Sequence, residues 1–263
     1  MDVRDIVTGH YGSVDLTDSI IKTLVGAGVD VEHLGLADLS ALDQLHAGFA
    51  PATEHVLDRL AVGPGMHLLD VGCGIGGPAR LAAARGAQVN GVDLTPQFVD
   101  TAKELTARVG LAGQASFDVT SGDALPFPDA SFDAAMMIHV GMNVPDKRAV
   151  YAEVRRVLAE GGLFAIYDQM RAGDGELPWP LPWADDEQSS FVERPEEYGE
   201  HLTSCGFTVE TVDDRTAAVA APPPPGPSNA TVMGPGFMKR IGNNVAATKA
   251  GLLTAVLVLA RAS

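Results

Sequence analysis

Residues 68–77 read LLDVGCGIGG. An apolar run that closes on an acid and then meets glycines at 72, 74, 76 and 77 predicts a strand turning sharply into a helix. Glycine permits that turn, and it lets backbone amides approach a ligand at the helix N-terminus. Two spacings fit the same letters. Gly72, Gly74 and Gly77 satisfy G-x-G-x-x-G, the turn of a dinucleotide-binding oxidoreductase. Asp70 with Gly72, Gly74 and Gly76 satisfies D-x-G-x-G-x-G, in which a carboxylate leads the turn. The glycines do the same work in both, so the acids must choose.

Outward from this turn the chain alternates. MHLLDVG, AQVNGVD, ASFDVTSGD, FDAAMMIHV and LFAIYDQM read as strands, the third running on into a loop. GPARLAAARG, PQFVDTAKELTARVG and DKRAVYAEVRRVLAEGG read as helices, the last closed by Gly161 and Gly162. That alternation predicts an α/β fold with a doubly wound, mostly parallel sheet. Ahead of it, residues 14–60 carry helical spacing, with Ile20, Ile21, Leu24 and Val25 on one face behind Asp18 or Ser19 as cap. Pro51 opens a second helix bearing Val56, Leu57 and Leu60. Residues 171–193, RAGDGELPWPLPWADDEQSSFVE, break the rhythm with proline, tryptophan and acid, as a lid or binding loop does. A helix (RPEEYGEHLTSCG), a strand (FTVETVDD), a stiff connector (APPPPGPSN), a helix near GFMKRIGNNVAATKAG and a final strand (GLLTAVLVLA) follow. About seven strands result, the last two forming an antiparallel return. The expected organisation is a helical cap over 1–62, an α/β core over 63–170, a lid over 171–193 and the closing part of the core over 194–263.

Bulk properties narrow the partners. A formal charge of −16 argues against nucleic acid, which requires clustered Lys and Arg, and it suits a cationic ligand. The two cysteines, Cys73 and Cys205, form no paired pattern, and the N-terminus lacks a basic start and an apolar stretch. No apolar run reaches the roughly 20 residues that span a bilayer. A cytoplasmic protein off the membrane is expected, as monomer or homodimer, acting on a small molecule. No His/Cys/Asp cluster has ligand spacing, so no metal is expected.

Three acids then decide the turn. A dinucleotide sets an anionic pyrophosphate against it, where Asp70 would repel. S-adenosylmethionine has no phosphate and carries an ammonium and a sulfonium, which Asp70 favours. Asp93 ends the second strand in GVDLTP and suits two ribose hydroxyls under either reading. Asp123, in SGDALPFPD, is placed to accept from an adenine amine, with Ala124 and Leu125 against the ring.

Together LLDVGCGIGG, GVDLTP, GDALPFPDASFDAAMMIHV and EVRRVLAEGGLFAIYD resemble the class I S-adenosylmethionine-dependent methyltransferases. Their order is similar to the small-molecule branch that holds ubiquinone/menaquinone, tocopherol and sarcosine/dimethylglycine methyltransferases. The resemblance implies a Rossmann-like seven-stranded fold and S-adenosylmethionine as cofactor, with S-adenosylhomocysteine as product. It implies that Gly72, Cys73, Gly74 and Gly76 line the methionine end and that Asp93, Leu94 and Gln97 lie around the ribose and adenine. Asp123 and Ala124 would read the base, and Ile138 and His139 would face the methyl group. Methyl transfer is an in-line displacement at an activated donor, so holding the acceptor on the S–C axis supplies much of the catalysis.

A base matters when the acceptor must lose a proton, and His139, at a strand end with a pKa near neutrality, is the candidate. In the similar phosphoethanolamine methyltransferases such a histidine pairs with an N-terminal tyrosine, for which Tyr11 stands here. His46, with Gln44, would fold over the site from the helical preface, although Ala47-Gly48-Phe49 departs from the glycine pair usual after this histidine. Asn143 and the two tryptophans, Trp179 and Trp183, complete the expected acceptor contacts. The indoles suit an aromatic wall, a cation–π cage or an anchor for the loop, and the methionines suit an adaptable apolar pocket. An amine acceptor is slightly favoured by the acidic balance. A hydroxyl or activated carbon of a quinol or aromatic compound follows closely, and an NAD-dependent oxidoreductase is the alternative outside methyl transfer.

Overall fold

A computed structural model describes residues 16–219, 228–234 and 236–263. Its frame is one seven-stranded sheet in the order β3-β2-β1-β4-β5-β7-β6. The strands are β1 (His67–Val71), β2 (Gln88–Asp93), β3 (Ala115–Val119), β4 (Phe132–Ile138), β5 (Leu158–Arg171), β6 (Phe207–Asp214) and β7 (Leu253–Ala262). β1 to β5 pair in parallel, while β7 runs antiparallel between β5 and β6. The reversal expected of the last two strands therefore belongs to β7 alone.

Alternate residues of each buried strand serve opposite faces, as a period of two requires. Leu68, Met136 and Tyr167 point to one core, shared with helices α3 (Phe49–Arg59), α4 (Gly77–Ala84) and α5 (Pro96–Arg108). Leu69, Met137 and Ile166 point to the other, covered by α6 (Lys147–Val157) and α7 (Pro195–Ser204). Two helices ahead of β1, α1 (Leu16–Gly26) and the single turn α2 (Leu36–Leu39), pack with Phe98 and Leu105 of α5 in a third cluster. Val232 of the short α8 (Ala230–Met233) joins them. A last helix, α9 (Phe237–Lys249), leads into β7.

Two expected boundaries move. α3 starts two residues before Pro51, behind a left-handed Gly48, which places the proline in the first turn where its missing N–H costs nothing. α6 ends at Val157 rather than at Gly161, because Leu158 is buried and already pairs with Phe132 of β4. Residues 159–162 then bulge out, with Gly161 at φ +77, before pairing resumes at Leu163. Residues 171–193 hold no long element; a Leu181–Ala184 bridge and a single turn over Glu187–Ser189 are their regular pieces.

Candidate functional site

The parallel strands end along one edge of the sheet, and a cavity of about 1660 Å³ opens there. Gly72, Gly74 and Gly76 all lie at positive φ in the turn after β1. Gly72 and Gly74 line the cavity. Gly76 does not: a Cβ there would sit 2.9 Å from both Arg80 Nη1 and Phe117 Cζ, so it is a packing glycine. A Cβ at Gly77 would fall 2.2 Å from the carbonyl oxygen of Asp43. The fourth glycine thus exists to admit another segment of chain.

Asp93 fixes this turn. Its Oδ2 accepts from the Gly74 amide and its Oδ1 from the Thr95 amide, each at 2.9 Å, while the side chain lines the cavity. Burial raises its pKa, against these hydrogen bonds. Asp70 is 1% exposed and its Oδ2 has no hydrogen-bond partner among the described residues. Burial, and then the Asp93 charge, push its pKa up to about 8. Cys73 is buried with its thiol pKa raised by burial, which makes it a small spacer rather than a nucleophile.

Beyond Asp93 the wall continues through Leu94, Thr95 and Phe98 to Thr120, Ser121 and Asp123. Gln97 and Ala124 are exposed and are not part of the cavity wall. Ile138 and His139 line it at the end of β4, with Asn143 in the turn that follows. His139 sits in the left-handed region at φ +56, which ends the strand; its amide donates to Tyr167 O at 2.7 Å. Its Nε2 is buried with no partner among the described residues, and burial drives its pKa well below 6.5.

His139, His46 and Tyr167 form a ring cluster, with centroid separations of 5.2 to 6.1 Å. His46 Nε2 lies 3.0 Å from Gln44 Oε1 and 2.9 Å from Thr53 Oγ1, and Nδ1 lies 3.1 Å from Ala47 O. Burial lowers the His46 pKa to about 4, so the ring is neutral at physiological pH. Tyr167 donates its hydroxyl to Ala47 O at 3.1 Å, locking the same segment to the sheet. Behind it, Arg80 and Asp43 are both buried and meet at 2.8 Å, and Gln44 Nε2 donates to Asp43 Oδ1 at 3.1 Å. The segment carrying His46 is therefore clamped onto the first turn of α4 through Gly77, Arg80 and Asp43.

On the opposite face of β5, Asp168 Oδ2 accepts from the Gly141 amide at 2.9 Å and the Tyr198 hydroxyl at 3.0 Å. Burial raises its pKa to about 7, against these hydrogen bonds and the nearby Lys147 charge. Asp168 thereby anchors the turn that carries Asn143.

The two tryptophans part company. Trp183 lines the cavity and donates its indole N–H to Ser190 Oγ at 2.9 Å. Both pack against a satellite cluster with Leu177, Leu181 and Leu253, but Trp179 is not part of the cavity wall. Of the methionines, Met142, Met233 and Met238 line the cavity, whereas Met136, Met137 and Met170 are sealed in the core. Tyr11 lies outside the described residues. Sequence reasoning missed Tyr167 and Gln169, which YDQM places on one strand face, and Asn244 of α9, which also lines the cavity. It also missed the Arg80–Asp43 clamp, which no local pattern announces.

No group of His, Cys, Asp and Glu among the described residues could hold a metal ion, and no helix among them is long and apolar enough to cross a membrane. A methyltransferase-domain family model matches residues 69–166. The 2-methyl-6-phytyl-1,4-hydroquinone methyltransferase of Synechocystis sp. is 34% identical over 178 residues, which is 66% of this chain and 48% of that protein. The first curated relatives are spanned over 31% to 56% of their own length. Among solved structures, the geranyl diphosphate C-methyltransferase from Streptomyces coelicolor A3(2), in complex with S-adenosyl-L-homocysteine, superposes with a TM-score of 0.70 at 19% identity, covering 100% of this chain and 99% of that one. The [4+2]-cyclase SpnF superposes at 0.69 and 22% identity, over 97% and 94%. At these identities the likeness is one of fold.

Proposed function

We propose that this chain, which carries a methyltransferase domain over residues 69–166, binds S-adenosylmethionine at its glycine turn and methylates a small molecule held against His139. The observation that carries the reading is the acidic turn, with Asp93 at the cavity wall and Asp70 buried in the strand end with its proton retained near neutrality, and with no Lys or Arg among the described residues lining that part of the cavity. An anionic pyrophosphate is disfavoured there, and a nucleoside bearing positive charge is favoured. That leaves the oxidoreductase reading without support.

The residues present fit the ligand. Each Asp93 oxygen spends one lone pair on the backbone and keeps the other for a ribose hydroxyl. Leu94 and Phe98 offer apolar faces to adenine beside Asp123, and Gly72 and Gly74 leave the methionine end close to backbone. When bound, S-adenosylmethionine supplies a methyl group already activated by its sulfonium. The chain has to hold the acceptor in line and keep water out. Leu45 and His46, clamped by Arg80, close the wall from the N-terminal side, and the 171–193 segment acts as lid with Trp183 at its inner surface. His139 is neutral at physiological pH and its Nε2 has no partner among the described residues, so it can hydrogen-bond an acceptor group and orient it, while its lowered pKa makes it a weak base.

Calorimetry tests this directly. S-adenosylhomocysteine is expected to bind, and Asp93→Ala to weaken it at least 30-fold, equivalent to about 2 kcal/mol for a lost ligand contact and two orphaned backbone amides. Binding of NAD in its place, or an unchanged affinity in the variant, would overturn the reading.

A further inference from the structure

The cavity is larger than the roughly 300–1,000 Å³ that one small ligand usually takes, and its two ends differ in chemistry. Past His139 the floor is β5, which outruns β4: pairing with β4 stops at Tyr167, and residues 168–171 pair with β7 alone. Gln169, two residues beyond Tyr167 and so on the same face, looks into the space left by the end of β4. It is 3% exposed, lines the cavity, and its Oε1 has no partner among the described residues. The residue beside it on β7 is Ala255, whose small side chain keeps that floor open.

The roof is α9. Met238, Ile241 and Val245 recur at i, i+3 and i+7, so they form one stripe, and all three line the cavity. Met238 and Val245 are 65% and 44% exposed, so much of this apolar stripe is left uncovered by the described residues. Amid it stands Asn244, whose Oδ1 is also buried and unpartnered.

The carboxylates of this half each have a hydrogen-bond or ion-pair partner. Asp146 caps α6 by accepting from the Ala149 amide, and Asp185 is taken by Arg240. Arg240 also donates to Leu181 O and Ala184 O, and Asp214 accepts from the Thr216 amide and the Thr254 hydroxyl. Lys249 is exposed at the last turn of α9. What sets the interior of this half apart is apolar surface beside two side-chain amide oxygens, of Gln169 and Asn244, that have no partner among the described residues. An amide presents both a donor and an acceptor, the complement of a hydroxyl, and a buried amide oxygen without a partner asks for a donor.

From this we infer that the acceptor is an uncharged, largely apolar molecule bearing a hydroxyl, its body lying along the α9 stripe and its polar head held by Gln169 and Asn244. The inference rests on the methyl-transfer reading and goes beyond it by fixing the acceptor class and the two residues that select it. It sets aside the amine that the overall acidity favours, because the two buried groups that would hold the head, Gln169 and Asn244, are uncharged.

Three probes with comparable tails and different heads test it: 4-nonylphenol, nonylamine and nonanoate, each titrated into the full chain saturated with S-adenosylhomocysteine. The phenol is expected to bind at least tenfold tighter than either charged probe. Gln169→Leu and Asn244→Leu should each weaken it about tenfold while leaving S-adenosylhomocysteine affinity within twofold, which also shows that the variants are folded. Gln169→Glu should move the preference toward nonylamine. Equal or tighter binding of a charged probe, absence of phenol binding, or phenol affinity indifferent to both Leu variants would overturn the inference. Failure of S-adenosylhomocysteine to bind the unaltered chain would overturn the parent reading instead.

Discussion

The two ends of the cavity are built on opposite principles. At the glycine turn the polar groups that shape the wall are fixed by hydrogen bonds: Asp93 to two backbone amides, His46 to the Gln44 and Thr53 side chains and the Ala47 carbonyl, Tyr167 to the same carbonyl. At the α9 end two amide oxygens, of Gln169 on β5 and Asn244 on α9, have no partner among the described residues, and Met238 and Val245 are largely exposed. The first end is held by strand termini and short turns, so its geometry is part of the fold. The second has a strand as floor and α9 as roof, so its specificity is a matter of which side chains they carry. Changes at the turn should cost stability as well as binding, whereas changes along α9 should alter selection alone.

The sharpest way to break that contrast is at the clamp. Arg80→Met leaves Asp43 as a buried, uncompensated carboxylate, and should cost about 3–5 kcal/mol in denaturant unfolding. A loss below about 1 kcal/mol would show that the segment carrying His46 is not fixed through it. Gly72→Ala comes next. Its new Cβ would lie 2.3 Å from a Val140 methyl at φ +75, so about 2–4 kcal/mol and most S-adenosylhomocysteine binding should go together. Retained binding with lost stability would separate the two roles.

A pH series probes the buried acids without any substitution. Asp70 near 8 and Asp168 near 7 hold protons in the folded chain that the unfolded chain has released, so each lowers stability as pH climbs from about 4 toward those values. His46 near 4, with His139 also lowered, does the reverse: stability is lost as pH falls through 6.5, and the pair contributes no slope above it. Below pH 6.5 the two sets of slopes oppose each other. Between 6.5 and 8 the ligand-free protein should then lose about 1–3 kcal/mol, followed by thermal denaturation. Asp168→Asn should remove the part of that decline below pH 7. A stability rising over this interval would refute the assignment. Smallest of all is Met238→Ser on the α9 stripe, expected to shift unfolding by less than about 0.5 kcal/mol and leave S-adenosylhomocysteine affinity unchanged.

The same contrast explains what could be read from the sequence. Strands, helices and the donor-side acids follow from period, glycine spacing and strand-end position, all local properties of the chain. Residues such as Asp93 and His139 are found because a strand must end where they stand. The α6 boundary moved because Leu158 answers to Phe132 of another strand, a partner invisible to helix periodicity. Arg80 with Asp43 depends on segments 37 residues apart meeting in space, and Gln169 and Asn244, 75 residues apart, come to line one cavity. Pattern within a window cannot show such pairs, and the indoles separated for the same reason.

That separation has an optical consequence. The chain has two tryptophans, both packed against the Leu177, Leu181 and Leu253 cluster, and of the two Trp183 alone lines the chamber. Occupancy of the chamber therefore acts directly on one indole, so intrinsic fluorescence should report it, and a Trp179→Phe variant should keep most of the ligand-induced change.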